Sequence, residues 1–175
     1  MMLRFRFLWL ILSSFWKKPL GILDESVLNL VVFPNDVDVT KISNDRYTAL
    51  MDLGRLDLVF RAGLRKAMAT KKWKPVVTFN TIRFRYPLKI FQKYQLKTRI
   101  IWWDETTFYW EQIFERKGRV IATGHICGTL YNTEGQVSSS AMIKEARQSV
   151  IKPKEPKVIA KLREVEKLIH ESQKD

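Results

Sequence analysis

Two carboxylates and a group of helix-capping residues stand together in the stretch from Pro34 to Phe60, PNDVDVTKISNDRYTALMDLGRLDLVF. Asp36 and Asp38 follow an apolar run, and the polar segment SNDRY then opens a long, largely apolar segment. The N-terminus of a helix has free N–H groups and the positive end of the helix dipole, which together suit an anionic oxygen. A carboxylate just before such an end can act as a nucleophile or orient a water molecule.

The same residues also have purely structural interpretations. Ser43 and Asn44 are common helix N-caps, and capping uses the N–H groups that would otherwise bind an oxyanion. We expect Asp36 to be a turn residue that hydrogen-bonds nearby amides. We expect Asp52, inside the predicted helix, to pair with Arg55 three residues later.

The composition of the chain limits the class of protein. With 175 residues, of which 46% are hydrophobic and 28% charged, the chain can form one folded domain with an appendage. Its single cysteine, Cys127, excludes an intramolecular disulfide and favours a reducing compartment, so we predict a cytoplasmic location. Two histidines and one cysteine give no zinc-ligand spacing, so no metal site is predicted.

The formal net charge of +13 suits nucleic acid, anionic lipid or a phosphorylated small molecule. The sequence has no helix-turn-helix pattern, zinc finger or RNA-recognition signature, so nucleic acid is not a predicted partner. Some basic residues in predicted strands could contact phosphate groups, but alternating strand charges more often form a solvated face, so no cofactor-binding residue is assigned. These basic residues are Arg83, Arg85, Arg116, Lys117 and Arg119.

Residues 1–22 form an apolar and basic N-terminal segment. Its apolar run is far shorter than the ~20 residues that a membrane-spanning helix needs, and no small-residue cleavage site follows it. Two interpretations remain open. In the first, residues 1–18 contact a membrane surface, with Trp9 and Trp16 at headgroup depth. In the second, the segment packs on the domain as an N-terminal helix.

The central part of the chain, residues 23–145, predicts one strand, one long helix and then four strands. The helix is predicted over residues 45–69, which contain no proline and are apolar enough to require cover on more than one side. The later strands alternate with period two, and Lys117-Gly118 predicts a hairpin turn. The strands are residues 27–33, 76–88, 94–103 and the two halves of 107–131. This order predicts an α+β fold in which a curved antiparallel sheet wraps around one helix.

Residues 146–175 are predicted to be a separate C-terminal tail. Pro153 and Pro156 interrupt the chain, and apolar residues then recur at helical spacing from Val158 to Ile169. We expect an amphipathic helix that docks on the domain or on a second subunit.

These segments resemble the hot-dog-fold thioesterases, specifically the 4-hydroxybenzoyl-CoA-thioesterase-like branch. That branch carries a D-x-D segment and then roughly H-x-N-N-x-x-Y at the mouth of the central helix. Here Asp36-Val37-Asp38 precedes KISNDRY. The blocks MDLGR (51–55), IRFRYPL (82–88) and WDETTFYWEQ (103–112) follow in the same order, and the resemblance spans residues 27–140.

The resemblance implies a hot-dog fold and hydrolysis of an acyl- or aryl-CoA thioester, with acyl-CoA as substrate and no cofactor. It implies that Asp38 is the nucleophile or base. Asn44, Tyr47 and the backbone amides of residues 45–47 would polarise the carbonyl group. The family's site lies at a subunit interface with a tunnel for the acyl chain, which implies a homodimer or a tetramer of such dimers.

A second function also remains open. Lys41 stands where the family has histidine, and Ser43 replaces the first family asparagine. These departures fit a non-catalytic hot-dog protein that binds acyl-CoA or fatty acid, with or without contact to a membrane. A dehydratase of the same fold is disfavoured, because residues 38–60 contain no histidine.

Overall fold

The computed structural model describes residues 2–146, 148 and 150–173. Its helices are α1 (Met2–Ser13), α2 (Asn44–Arg61), α3 (Arg65–Thr70), α4 (Ser139–Glu145) and α5 (Lys157–Ser172), with a 3-10 turn at Pro34–Asp36. Its strands are β1 (Ser26–Val31), β2 (Lys74–Phe84), β3 (Lys93–Trp103), β4 (Thr107–Arg116), β5 (Arg119–Asn132) and β6 (Gly135–Val137).

The strands form one antiparallel sheet in the order β1-β3-β4-β5-β2, with the short β6 beside β5. The β4–β5 hairpin turns at Lys117 and Gly118, which both have positive φ angles, of 49° and 72°. This is the turn predicted from the sequence, and the twist of such a turn matches that of the flanking strands. β1 and β2 therefore lie at opposite ends of the sheet. Most of β2 is exposed, and its outer edge has no partner among the described strands.

The central helix α2 lies very close to the sheet at Gly54. A Cβ atom at this position would collide with the Thr98 hydroxyl and would lie 2.8 Å from Nε2 of Gln112. That amide nitrogen is buried and donates to the carbonyl oxygen of Met51 and to Oγ1 of Thr98, each at 2.9 Å. Glycine is therefore required here by close packing, and the polar groups at the contact are hydrogen-bonded to one another. The arrangement is the α+β hot-dog fold predicted from the sequence.

The helix predicted over residues 45–69 is in fact two helices. Gly63 has a φ of +83°, and the N–H of Leu64 donates to the carbonyl of Val59 while the N–H of Gly63 donates to that of Phe60. These two bonds form a Schellman motif, which ends α2 at Arg61. The prediction of one continuous helix was wrong because a single glycine inside an apolar periodic segment does not by itself reveal a cap.

The predicted C-terminal helix is confirmed as α5, and its first turn packs on the outer face of the sheet. Ile159 is buried there with Trp102, Tyr109 and Cys127. Burial raises the pKa of the Cys127 thiol to about 12. Farther along α5, Leu168 is exposed to solvent. The short elements β6 and α4 were not predicted, since neither is long enough to show a periodic pattern.

We predict that removing the Ile159 contact exposes Cys127. In the native protein, alkylation of this thiol at mildly alkaline pH should be at least ~100-fold slower than in the denatured chain, because the thiolate is scarce and covered. Ile159→Asp should release the first turn of α5 and accelerate alkylation while the circular dichroism of the domain is retained. Leu168→Asp is the matched control, with an exposed side chain on the same helix, and should alkylate as slowly as the wild type. Equal rates in the two variants would contradict the described docking.

Candidate functional site at the N-terminus of the central helix

The loop before α2 folds back on itself and brings the predicted site residues to one place. The N–H of Ser43 donates to the carbonyl of Asp36, and the N–H of Asp38 donates to the carbonyl of Lys41. Val37 pairs with Ile42 between them. The tip of this loop, residues 38–41, therefore lies beside the first turn of α2, in which Asn44 is the first helical residue.

Asp38 and Asn44 are both exposed at this end of the helix. The N–H of Arg46 donates to the carbonyl of Ser43 at 3.1 Å, whereas the N–H groups before it, at the open end of the helix, have no carbonyl partner within α2. Asp45, also exposed, has a lowered pKa, mainly because the Ser43 side chain donates a hydrogen bond to its carboxylate. An exposed carboxylate, an amide side chain and free helix N–H groups are together sufficient to orient water and bind an anionic oxygen.

The third predicted site residue, Tyr47, has its side chain in the core rather than in this open space. Its ring lies 5.1 Å from that of Phe84 and 4.8 Å from that of Phe114, both in edge-to-face geometry. Burial raises the pKa of the Tyr47 hydroxyl to about 12. The ring and hydroxyl of Tyr47 therefore lie away from the open end of the helix.

Asp36 is the buried member of the carboxylate pair, and it anchors the N-terminal helix. The two carboxylate oxygens accept hydrogen bonds from Nη1 and Nη2 of Arg6, at 3.1 and 2.6 Å. The N–H of Phe33 donates to the same carboxylate at 2.9 Å, and Nε of Arg46 lies 3.9 Å away. The expected turn position of Asp36 is confirmed. Its pairing with Arg6 was not predicted, because the two residues are 30 positions apart and no local pattern connects them.

An apolar groove of about 330 Å³ lies along the flank of α2, between that helix, α3 and the strands β2 and β5. Its apolar lining includes Leu56, Val59, Met68, Trp73, Val76 and Trp110. Asp52 and Arg55 lie among its lining residues and form the predicted ion pair with each other. Arg55 also donates to Oε1 of Gln112 at 2.6 Å. Burial lowers the pKa of the Arg55 guanidinium, while the neighbouring Asp52 raises it. A groove of this size and polarity is suited to an aliphatic or aromatic chain.

The groove and the Asp38 loop lie at different ends of β2. The groove is lined by Pro75, Val76 and Val77, at the amino end of the strand. The loop contacts the other end, where the N–H of Ile42 donates to the carbonyl of Leu88. Along α2, the first residue of the helix and the middle of the groove are about 18 Å apart, at 1.5 Å per residue. A single protomer therefore does not place the candidate carboxylate beside the groove.

Several basic residues lie in the Asp38 loop or at the same end of the sheet. The backbones of Lys41 and Lys89 pair in an isolated antiparallel β-bridge, and both side chains are exposed. The guanidinium of Arg119 lies 4.9 Å from the ring centroid of Tyr86, and Arg85 is anchored through its N–H to the carbonyl of Ile121. Basic residues that the sequence left unassigned are thus brought to the end of the sheet that holds the candidate carboxylate.

Among the described residues, the remaining histidine, cysteine and acidic side chains do not form a second candidate catalytic or metal site. His125 lies 3.6 Å from Glu111, and this neighbouring side chain is the main reason that the pKa of Glu111 is lowered, with Arg99 acting in the same direction. Within the residues that the structure describes, no group of three or more histidine, cysteine, aspartate or glutamate side chains could hold a metal ion.

Comparison with known proteins identifies the relatives of this chain. The family model of the thioesterase-like superfamily matches residues 32–162. Protein THEM6 of Danio rerio is 36% identical over 114 residues, which cover 64% of this chain and 56% of that protein. The chain spans about half the length of the curated relatives it matches.

Solved structures confirm the fold. The DHNA-CoA thioesterase of Staphylococcus aureus superimposes with a TM-score of 0.63 at 16% identity, over 70% of this chain and 88% of that one. A hypothetical protein of the same organism, solved in complex with CoA, superimposes with a TM-score of 0.64 at 10% identity, over 80% and 94%.

We predict that the two carboxylates of the loop contribute very differently to the stability of the protein. Asp36→Asn leaves the partly buried Arg6 without its charged partner and should lower the free energy of unfolding by about 3 kcal/mol. Asp38→Asn changes an exposed side chain and should stay within about 0.5 kcal/mol of the wild type. Urea unfolding of the two variants, followed by circular dichroism, measures both values. Similar losses in both variants would contradict the assignment of Asp36 as the buried anchor.

Proposed function

Because this chain belongs to the thioesterase-like superfamily, we propose that it hydrolyses an acyl- or aryl-CoA thioester to the free acid and CoA. The observation that carries this proposal is the apolar groove along α2, combined with an open helix N-terminus that bears an exposed carboxylate. The groove would hold the acyl or aryl chain, and the helix end would hold the reacting carbonyl. Water is the second substrate, and no cofactor is required.

The proposed chemistry uses Asp38, Asn44 and the free N–H groups of α2. Asp38 accepts a proton from a water molecule that adds to the carbonyl carbon, or adds to that carbon itself. The side chain of Asn44 and the backbone amides of residues 45–47 donate to the developing oxyanion. The C–S bond then breaks, and CoA leaves as the thiolate, which takes up a proton. Where Asp38 itself has added, a water molecule then hydrolyses the acyl-Asp38 anhydride, which releases the free acid and regenerates the carboxylate. Tyr47 contributes through its backbone amide, since its ring is buried.

We further propose that the complete site forms between two protomers. The unpaired edge of β2 can join the same edge of a second copy about a twofold axis, as in an isologous dimer. Antiparallel pairing places the amino end of one β2 beside the carboxyl end of the other. The groove of one protomer would then lie beside the Asp38 loop of its partner, which removes the separation of about 18 Å within one chain. Two such dimers could assemble into a tetramer.

The basic residues around the loop support a CoA ester as the substrate class. Arg85, Arg119, Lys41 and Lys89 lie at the end of the sheet where the polar part of the substrate would leave the groove. Arginine and lysine side chains suit the phosphate groups of CoA. The Staphylococcus aureus protein that shares this fold and was solved in complex with CoA supports the same class of ligand. The single cysteine supports a reducing, cytoplasmic location.

A second candidate function is saturable binding of acyl-CoA or fatty acid without turnover. It is favoured by the pairing of Asp52, the carboxylate in the groove lining, with Arg55. Because Arg55 occupies this carboxylate, the acidic side chain in the groove lining is already paired, and the groove of a single protomer is equipped to bind rather than to react.

We predict that the wild type releases free thiol from at least one member of a panel of short, long and aromatic acyl-CoAs. Asp38→Asn should lower turnover by roughly 10²- to 10⁴-fold, because it removes the base or nucleophile. Glu134→Gln, an exposed carboxylate in the β5–β6 turn, is the matched control and should retain full activity. Wild-type activity in Asp38→Asn would refute the assigned role. Saturable binding with no thiol release from any ester would establish the second candidate instead.

A further inference from the structure

The N-terminal helix α1 is fixed to the domain through one of its faces. Leu10 is buried against the core, and Arg6 binds the buried carboxylate of Asp36. Just after the helix, Nζ of Lys17 lies 2.7 Å from Oδ1 of Asp57, a carboxylate on α2 that is completely buried. α1 is therefore held at both ends, so that the side chains on its opposite face have defined positions.

The opposite face is apolar, aromatic and open to solvent. Trp9 is 71% exposed and Trp16 is 80% exposed. The other large exposed side chains of this segment are Phe5, Phe7, Leu8, Leu12 and Phe15. We call these seven residues, five on α1 and two in the turn that follows it, the aromatic face of α1. A contiguous apolar surface of this kind, on a helix that already packs on the domain through its other side, indicates an interaction site.

The charged residues within this segment are all basic. Residues 1–23 contain four arginine or lysine residues and no aspartate or glutamate. Arg4 and Lys18 are exposed, and the guanidinium of Arg65, from α3, lies 3.7 Å from the ring centroid of Phe15. Exposed aromatic side chains bordered by cations complement a surface that is apolar below and anionic above, as the headgroup region of an acidic bilayer is.

We propose that the aromatic face of α1 binds an anionic lipid bilayer, with the helix lying in the plane of the membrane interface. Trp9 and Trp16 would sit at headgroup depth, and Arg4 and Lys18 would contact anionic lipid. The helix lies on the membrane rather than across it. Its 12 residues are about 18 Å long, against roughly 30 Å of hydrocarbon, and no helix in the described part of the chain is long and apolar enough to span.

A second copy of the chain is a poorer occupant of this face. α1 contacts the edge strand β1, because Nη2 of Arg6 donates to the carbonyl of Val31, whereas β2, through which we propose pairing, is the edge strand at the opposite end of the sheet. Two copies meeting through α1 would also bring cations of the same sign together. A dimer through β2 leaves both α1 helices free.

Because Arg6 connects α1 to Asp36, membrane binding would hold the Asp38 loop close to the bilayer.

Sedimentation with lipid vesicles tests this proposal. We expect the full chain to bind vesicles of phosphatidylcholine and phosphatidylserine at least ~tenfold more strongly than vesicles of phosphatidylcholine alone, and the difference to shrink in high salt. Trp9→Ser with Trp16→Ser should lose at least ~tenfold of this binding. Arg4→Gln with Lys18→Gln should lose the preference for anionic lipid. Leu168→Ser, an exposed apolar residue on α5, is the matched control and should bind as the wild type does.

Three results would overturn the proposal. The first is wild-type protein that remains in the supernatant with both kinds of vesicle. The second is equal binding by the double tryptophan variant and the wild type. The third is a change in oligomeric state that light scattering finds in the double tryptophan variant and in no other variant. Such a change would make the aromatic face an interface between copies of the chain. All five substituted side chains are exposed, so we expect each variant to fold as the wild type does. Circular dichroism and urea unfolding of each variant distinguish a loss of binding from a loss of fold.

Discussion

The close approach of α2 to the sheet at Gly54 is the contact on which the rest of the structure depends. No side chain separates the helix from β3 and β4 at this point, and the buried amide of Gln112 is bonded to Met51, Thr98 and Arg55. Any rotation or sliding of α2 would leave a buried polar group without its partner, which is costly in a low-dielectric interior. The helix is therefore fixed, and its position determines where its open N-terminus and the groove along its flank lie.

A fixed helix of this length separates two functions that a thioester hydrolase must combine. The polar end of α2 carries Asn44 and lies beside Asp38, and the middle of the apolar groove lies about three turns later. A second copy across the free edge of β2 is the simplest way to bring the two together. The aromatic face of α1 lies at the other end of the sheet, so the proposed membrane binding and the proposed pairing through β2 would use different surfaces of the same molecule.

The sequence predicts the architecture well because alternation and helical periodicity are local signals. The order of strands, the turn at Lys117-Gly118 and the C-terminal helix all follow from such patterns. What the sequence could not provide is long-range pairing. The bond between Arg6 and Asp36, the end of α2 at Gly63 and the buried ring of Tyr47 depend on contacts or backbone angles with no local signature. The catalytic role of Asp38 remains a prediction that rests on the family.

Mixing two inactive variants tests the central claim, that the site is shared between protomers, most directly. Asp38→Asn removes the proposed base, and Leu56→Trp fills the groove against a long acyl chain. In a mixed dimer, one site would combine the intact groove of the first variant with the intact Asp38 of the second. Unfolding and refolding an equal mixture should therefore restore about a quarter of wild-type thiol release, because half of the dimers are mixed and each has one working site. No recovery, with mixed dimers shown to form, would place the whole site within one chain and contradict the account.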